Sequence, residues 1–209
     1  VCIARGEEVL AEQTIFTERS HARLITVVID ELLHHLEFAP ADLDQIGVVI
    51  GPGSYTGIRI GIAAAKGLAL ALEKPLIGIP TTALLAAGAL LLQPSEDTQL
   101  IGMLHARKRE AYVGVYNTEL HTLSAPAPME VDSADFHQLL QHQPSWCLGS
   151  GAAHVEDEAA MRWVQLPNRA QALAAAAERM SQHAGMITAE NLQPLYLKAV
   201  RINTPKRLL

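Results

Sequence analysis

A seven-residue turn, Gly51-Pro-Gly-Ser-Tyr-Thr-Gly57, constrains this chain more than any other stretch. It follows Ile46-Gly-Val-Val-Ile50, which has the length and β-branched content of a strand. It precedes a proline-free, alanine-rich run that reads as helix through Leu72. Gly51, Gly53 and Gly57 let the backbone take positive φ and let other groups approach closely. Backbone N–H groups at such a turn, with Ser54 beside them, converge well enough to hold an anion. A tight strand-to-helix turn with close packing needs the same glycines, so both readings stay open. A Walker A phosphate loop is excluded: it needs Gly-Lys-Ser/Thr where this chain has Gly57-Ile58-Arg59.

The helix that follows is too apolar for one neighbour. Between Tyr55 and Leu72 only Thr56, Arg59 and Lys66 are clearly polar, whereas a surface helix needs an apolar arc of only about 100°. Gly57, Gly61 and Ala65 recur every fourth residue and admit a second helix at short range. Membrane helices share that spacing, but two cations inside the run make a span costly, and the helix is read as part of a soluble protein. Arg59, Ala63, Lys66 and Leu70 fall on one line, the expected outer stripe. Either a partner covers it, or the helix is central and its cations snorkel to water. A second helix, over residues 20–36 with Ser20 as cap, is also over-wide. Leu24, Val28, Leu32, Ile25, Leu36, Ile29, Ala22 and Leu33 cover roughly half its circumference against the ~100° one sheet requires.

Around these two helices the chain alternates short apolar runs with turns. Residues 1–11 read as a hairpin with Gly6 in its turn, and residues 14–16 as a third short strand. The chain opens inside a strand without methionine, so a preceding segment is expected. Leu76-Ile-Gly-Ile79 is a strand, and an apolar helix runs from Pro80 through Leu92. Residues 93–98 look like a lobe boundary. Leu100-Ile-Gly-Met-Leu104 and Ala111-Tyr-Val-Gly-Val-Tyr116 are strands joined by a basic turn, residues 120–128 are turn-rich, and residues 133–141 form a helix capped by Ser133. Trp146-Cys-Leu-Gly149 enters a second glycine turn, and an alanine-rich helix spans residues 168–182.

With 49% hydrophobic and 18% charged residues the chain can build a sizeable core. Its formal charge of −6 argues against a dedicated nucleic-acid surface. Cys2 and Cys147 lie far apart with no CxxC, which fits free thiols in a reducing compartment. No secretory signal is evident, so a cytoplasmic location is expected. No Ser-His-Asp order, carboxylate pair or metal-ligand spacing appears among the nine histidines.

Gly51-Pro-Gly-Ser-Tyr-Thr-Gly-Ile-Arg-Ile-Gly61, with Ala65-Lys-Gly-Leu-Ala69, Pro75-Leu-Ile-Gly-Ile79, Leu148-Gly-Ser-Gly151 and Pro194-Leu-Tyr-Leu-Lys198, closely resembles the TsaB (YeaZ) family along essentially the whole chain. The resemblance implies an α/β fold of the actin-like, sugar-kinase-like (ASKHA) type with two ribonuclease H-like lobes. Residues 1–97 are then the N-terminal lobe, 98–184 the C-terminal lobe, and 185–209 a segment returning to the first. Family members open with a strand ending in Ile-Asp-Thr-Ser ahead of the hairpin; that first strand is absent from this sequence, which puts independent nucleotide binding in doubt.

The resemblance further implies a non-catalytic subunit in making threonylcarbamoyladenosine on transfer RNAs that read codons beginning with A. Its expected partners are TsaD, the catalytic paralogue, and TsaE, an ATPase. A homodimer is expected when the chain is alone, and tRNA is contacted only indirectly. The expected interface is Leu24, Ile25, Val28 and Leu32 of the first helix with Tyr55, Thr56, Arg59, Ile60, Ala63, Lys66, Gly67 and Leu70 of the second. Gly51, Gly53, Ser54 and Gly57 are the candidate anion loop. No cofactor is expected on the chain alone, with ATP or ADP at the complex interface. The paralogue's His-x-x-x-His metal motif falls here on Thr81 and Leu85, so no metal and no catalytic residue are expected. The alternative is an autonomous ATPase or phosphotransferase of the same fold, supported by the two glycine turns.

Overall fold

The computed structural model describes residues 1–15, 21–131, 133–141, 143–156, 161–163, 165, 169–183, 185 and 187–198, with backbone alone at 21–23 and 163. Strands β1 (Cys2–Arg5) and β2 (Glu8–Glu12) form an antiparallel hairpin. Its open end is closed by the Val1 amine donating to the Gln13 carbonyl at 3.1 Å. Beyond that bond Thr14 and Ile15 form no strand, contrary to expectation. Ile15 instead packs sideways into the cluster under the first helix. Phe16 and the expected cap Ser20 lie outside the described residues.

Helix α1 (His21–His35) lies on the hairpin. Strand β3 (Ile46–Gly51), helix α2 (Tyr55–Leu72) and strand β4 (Leu76–Pro80) form a parallel βαβ unit. Helix α2 starts where Gly57 N–H donates to Ser54 Oγ at 3.3 Å, a side-chain cap for one of the first-turn donors. It ends at Glu73, in the left-handed region at φ 54°. Ile58, Ile62, Ala65 and Ala69 face the sheet and join Leu76, Ala189 and Leu192 in one cluster. Among the described residues β1 pairs only with β2 and β3 only with β4. A groove of about 130 Å³ runs between the two pairs, lined by Cys2 and Ala4, by Gln45 and Gly47, and by Ala174 and Ala177 beneath.

Helix α3 (Thr81–Ala87) is shorter than expected and gives way to a 3-10 turn at Leu90–Leu92 after Gly88, a poor helix former. It is wedged between the βαβ unit and a five-stranded sheet. That sheet contains β5 (Gln99–Arg107), β6 (Glu110–Tyr116), β7 (Thr122–Glu130), β8 (Ser145–Leu148) and β9 (Met161–Trp163), in the order β7-β6-β5-β8-β9. The nine-residue β7 replaces the expected turn-rich stretch. Its Pro126 and Pro128 lack N–H donors, which an edge strand tolerates and a central strand does not. Helix α4 (Ala134–Leu140) is capped by Ser133, whose Oγ accepts from Phe136 N–H at 3.2 Å. Helix α5 (Arg169–His183) packs back on β1, β2, β4 and α3.

Two glycines fix how α3 meets the second sheet. Gly102 of β5 stands opposite Gly114 of β6. A Cβ on Gly102 would lie 1.8 Å from the Thr82 carbonyl oxygen, and one on Gly114 would lie 2.7 Å from Thr82 Oγ1. The paired glycines thus open a trough that the first turn of α3 enters. There the Thr82 hydroxyl bonds the Tyr116 hydroxyl at 2.7 Å. Burial pushes the Tyr116 phenol up to about 12, against the opposing pull of the Thr82 bond. Around this contact Ile77, Ile79, Ala83, Ala86, Leu100, Leu148, Ala172 and Ala176 form the largest buried cluster.

A bare helix face as the candidate functional site

Only four side chains of α2 are buried, all on its sheet side. On the opposite side Tyr55 is 42% and Leu70 65% exposed. Thr56, Arg59, Ala63 and Gly67 are exposed between them, while Ile60 and Lys66 are half-buried. The eight expected residues of α2 thus lie on or beside its open flank. At 1.5 Å per residue that flank runs roughly 22 Å from Tyr55 to Leu70.

Helix α1 packs beside α2 and corrects part of the expected interface. Val28 is 3% and Leu32 7% exposed, buried against Ile3 and Leu33 in the chain's own core. They offer a partner little surface, because the hairpin takes that side of the helix. Leu24 and Ile25 are half-buried at the rim. With Val1, Ile15 and Val28 they line an apolar hollow of about 220 Å³. Val27, 47% exposed, is a residue the helical wheel did not single out.

Gly67 is informative because nothing among the described residues requires it. Beyond its own turn of helix, a Cβ there would meet no atom of the described residues within 4 Å. Yet glycine inside a helix is about 1 kcal/mol less favourable than alanine. A glycine with no contact to relieve, on an exposed small-residue stripe, is suited to close approach by another backbone.

The glycine loop is held by its own chain. Gly51 sits at φ 115°, and a Cβ there would come within 2.8 Å of the Leu195 carbonyl oxygen. Leu195 N–H donates to Ile50 O at 2.8 Å, and Thr81 Oγ1 donates to Pro52 O at 2.6 Å. Close packing therefore accounts for Gly51. The Ser54 hydroxyl is engaged by Gly57 N–H. Gly53 and Ser54 open on a cleft of about 730 Å³ bordered by His105, Arg107, Tyr112 and Lys198. The Glu110 carboxylate draws in both of its cations, Lys198 at 2.7 Å and Arg107 at 3.0 Å. The bond from Lys198 first, then that from Arg107, holds Glu110 below the usual carboxylate range.

Thr81 and Leu85, on which the resemblance places the paralogue's metal histidines, have structural roles here. Thr81 clamps Pro52, and the Leu85 methyl groups lie 2.7 and 2.9 Å from where a Gly149 Cβ would be. Among the described residues no group of three or more His, Cys, Asp or Glu side chains is placed to hold a metal ion. Folding does bring histidines together that no local spacing linked. His105 and His154 are 3.1 Å apart nitrogen to nitrogen, and the rings of His121 and His183 are 4.2 Å apart.

A family model described as TsaD, tRNA N6-adenosine threonylcarbamoyltransferase, matches residues 8–197. A tRNA threonylcarbamoyladenosine biosynthesis protein TsaB from Bacillus subtilis is 31% identical over 144 residues, 68% of this chain and 61% of the relative. TsaB from Escherichia coli is 34% identical over 101 residues, 48% of this chain and 43% of the relative. The chain therefore matches less than two thirds of the length of these relatives. Among solved structures, YeaZ from Pseudomonas aeruginosa superposes with a TM-score of 0.74 at 24% identity, covering 91% of this chain and 90% of that one. The two layers of strands, with α3 between them, are thus an ASKHA-type α/β fold. A family match over nearly the whole sequence, and relatives that agree with it, establish that the chain belongs to the TsaD-type threonylcarbamoyltransferase family, on its TsaB (YeaZ) branch.

Proposed function

We propose that this chain is a non-catalytic subunit in threonylcarbamoyladenosine synthesis on tRNA, and that it offers α2 and the rim of α1 to a TsaD-type catalytic chain. The observation that carries the proposal is the open flank of α2, where Gly67 and Ala63 leave room for a partner's backbone. A non-catalytic role is supported by Thr81 and Leu85, the positions the resemblance assigns to the paralogue's metal histidines, which here clamp Pro52 and pack against Gly149. Alone, the chain would cover the same flank with a second copy, since large apolar patches rarely stay bare. In the complex a TsaE-type ATPase would complete the machinery, with any nucleotide held at the seam between subunits.

Helix α2 is also long and apolar enough to cross a membrane, with a mean hydropathy of 1.2. Arg59 and Lys66 on the helix, and its packing on β3, favour a protein cover over lipid. The test is reconstitution with a TsaD-type chain, a TsaE-type ATPase, threonylcarbamoyl-AMP and tRNA, reading modified adenosine by mass spectrometry. Product should rise at least tenfold when this chain is added. Equal product without it would refute the proposal.

A further inference from the structure

Residues 194–198 end beside the open flank of α2. The Tyr196 ring stacks on Tyr55 with centroids 5.1 Å apart and planes at 29°. The Arg59 guanidinium lies 5.0 Å from the Tyr55 centroid, and its N–H donates to the Tyr55 hydroxyl. Tyr196 remains 45% exposed despite the stack. Two tyrosines and an arginine therefore stand together at one end of the stripe whose other end is Leu70.

The segment carrying Tyr196 is fixed along its length. Ile187 exchanges backbone bonds of 2.8 and 3.0 Å with Leu76. Leu192 is buried against Gly78. Leu195 donates to Ile50, and Lys198 pairs with Glu110. Tyr196 thus sits between two anchored neighbours, and little ordering entropy remains to be lost when something binds it. Pre-positioned Tyr and Arg side chains are the composition of interface hot spots.

We infer that residues 194–198 are a third strip of the partner face, with Tyr196 as its anchor against the TsaD-type chain. The inference rests on the interface proposed above and extends it from two helices to the carboxyl-terminal segment. Continuity selects this occupant, because Tyr196 touches Tyr55 and Tyr55 begins the stripe. RNA is less suited to the cluster. The cation nearest it along the segment, Lys198, is paired with Glu110, and the chain carries a formal charge of −6.

The test measures affinity for the TsaD-type chain by calorimetry for wild type, Tyr196→Ala, Tyr196→Phe and Ala63→Arg. Tyr196→Ala should weaken binding about 30-fold and Tyr196→Phe no more than about threefold, the ring being what matters. Benzoylphenylalanine placed at position 196 keeps an aromatic ring and should crosslink to the partner, whatever the stability of the alanine variant. Wild-type affinity of Tyr196→Ala, with binding lost in Ala63→Arg, would overturn the inference and leave the two-helix interface standing. Wild-type affinity in both would overturn the interface and the inference together. Unchanged partner affinity with weaker tRNA retention by the assembled complex would assign the cluster to RNA, also against the inference.

Discussion

Arginine in place of Ala63 should weaken association with a TsaD-type partner about 100-fold or more, roughly 2.7 kcal/mol, while unfolding stays close to wild type. Ala63 lies midway along the open flank of α2, between Arg59 and Gly67. A helix-on-helix contact built on small residues brings the two backbones close together. A guanidinium there either holds the helices apart or loses its water without a counter-charge, and each outcome is costly. In the free monomer the same side chain projects into solvent. Alanine and arginine are both good helix formers, and exposed substitutions usually stay within about 0.5 kcal/mol of wild type. Calorimetric titration against the partner, with thermal unfolding of each variant alone, separates the two effects. Wild-type affinity, or lost affinity with a collapsed melting transition, would count against this account of the surface.

Alanine in place of Gly102 should have the opposite signature, a loss of the fold itself. Its Cβ would fall 1.8 Å from the Thr82 carbonyl oxygen and 2.6 Å from the Thr82 carbonyl carbon. Both are backbone atoms, so no rotamer change relieves the clash, and α3 must lift off the sheet. That movement would pull apart the Thr82–Tyr116 hydrogen bond and open the largest buried cluster. Overpacking costs typically 1–3 kcal/mol when side chains can adjust. A rigid backbone clash should exceed that range, to about 4 kcal/mol or more, a large part of the 5–15 kcal/mol that holds a typical domain. The expected result is insoluble protein or a transition at much lower urea concentration. A midpoint within experimental error of wild type would show that α3 does not meet the sheet as described.

These two residues also mark where the sequence was readable and where it was not. Local pattern identified the 51–57 turn and the full extent of α2, because each depends on residues within a few positions of one another; the capping role of Ser54 emerges only from the structure. The excess apolar width of α1 and α2 was equally plain. Width does not say which part of an apolar arc the chain covers by itself, and so Val28 and Leu32 were expected at an interface when the hairpin already buries them. Gly102 and Gly114 sit in ordinary strand patterns, and their role depends on a helix that meets them from another part of the chain. The edge position that makes Pro126 and Pro128 acceptable in β7 is a property of the sheet order. Tyr196 carries no local signal either, since its meaning comes from Tyr55 far back in the sequence.

The most direct measurement is backbone hydrogen exchange of this chain alone, diluted to the monomer, and with a saturating TsaD-type partner. Added protection should concentrate in peptides covering residues 21–35, 55–72 and 194–198, with residues 122–130 on the far edge of the second sheet unchanged. Protection over the second sheet, with residues 55–72 exchanging as in the free chain, would contradict the assignment of α2 as the surface this protein offers to its partner.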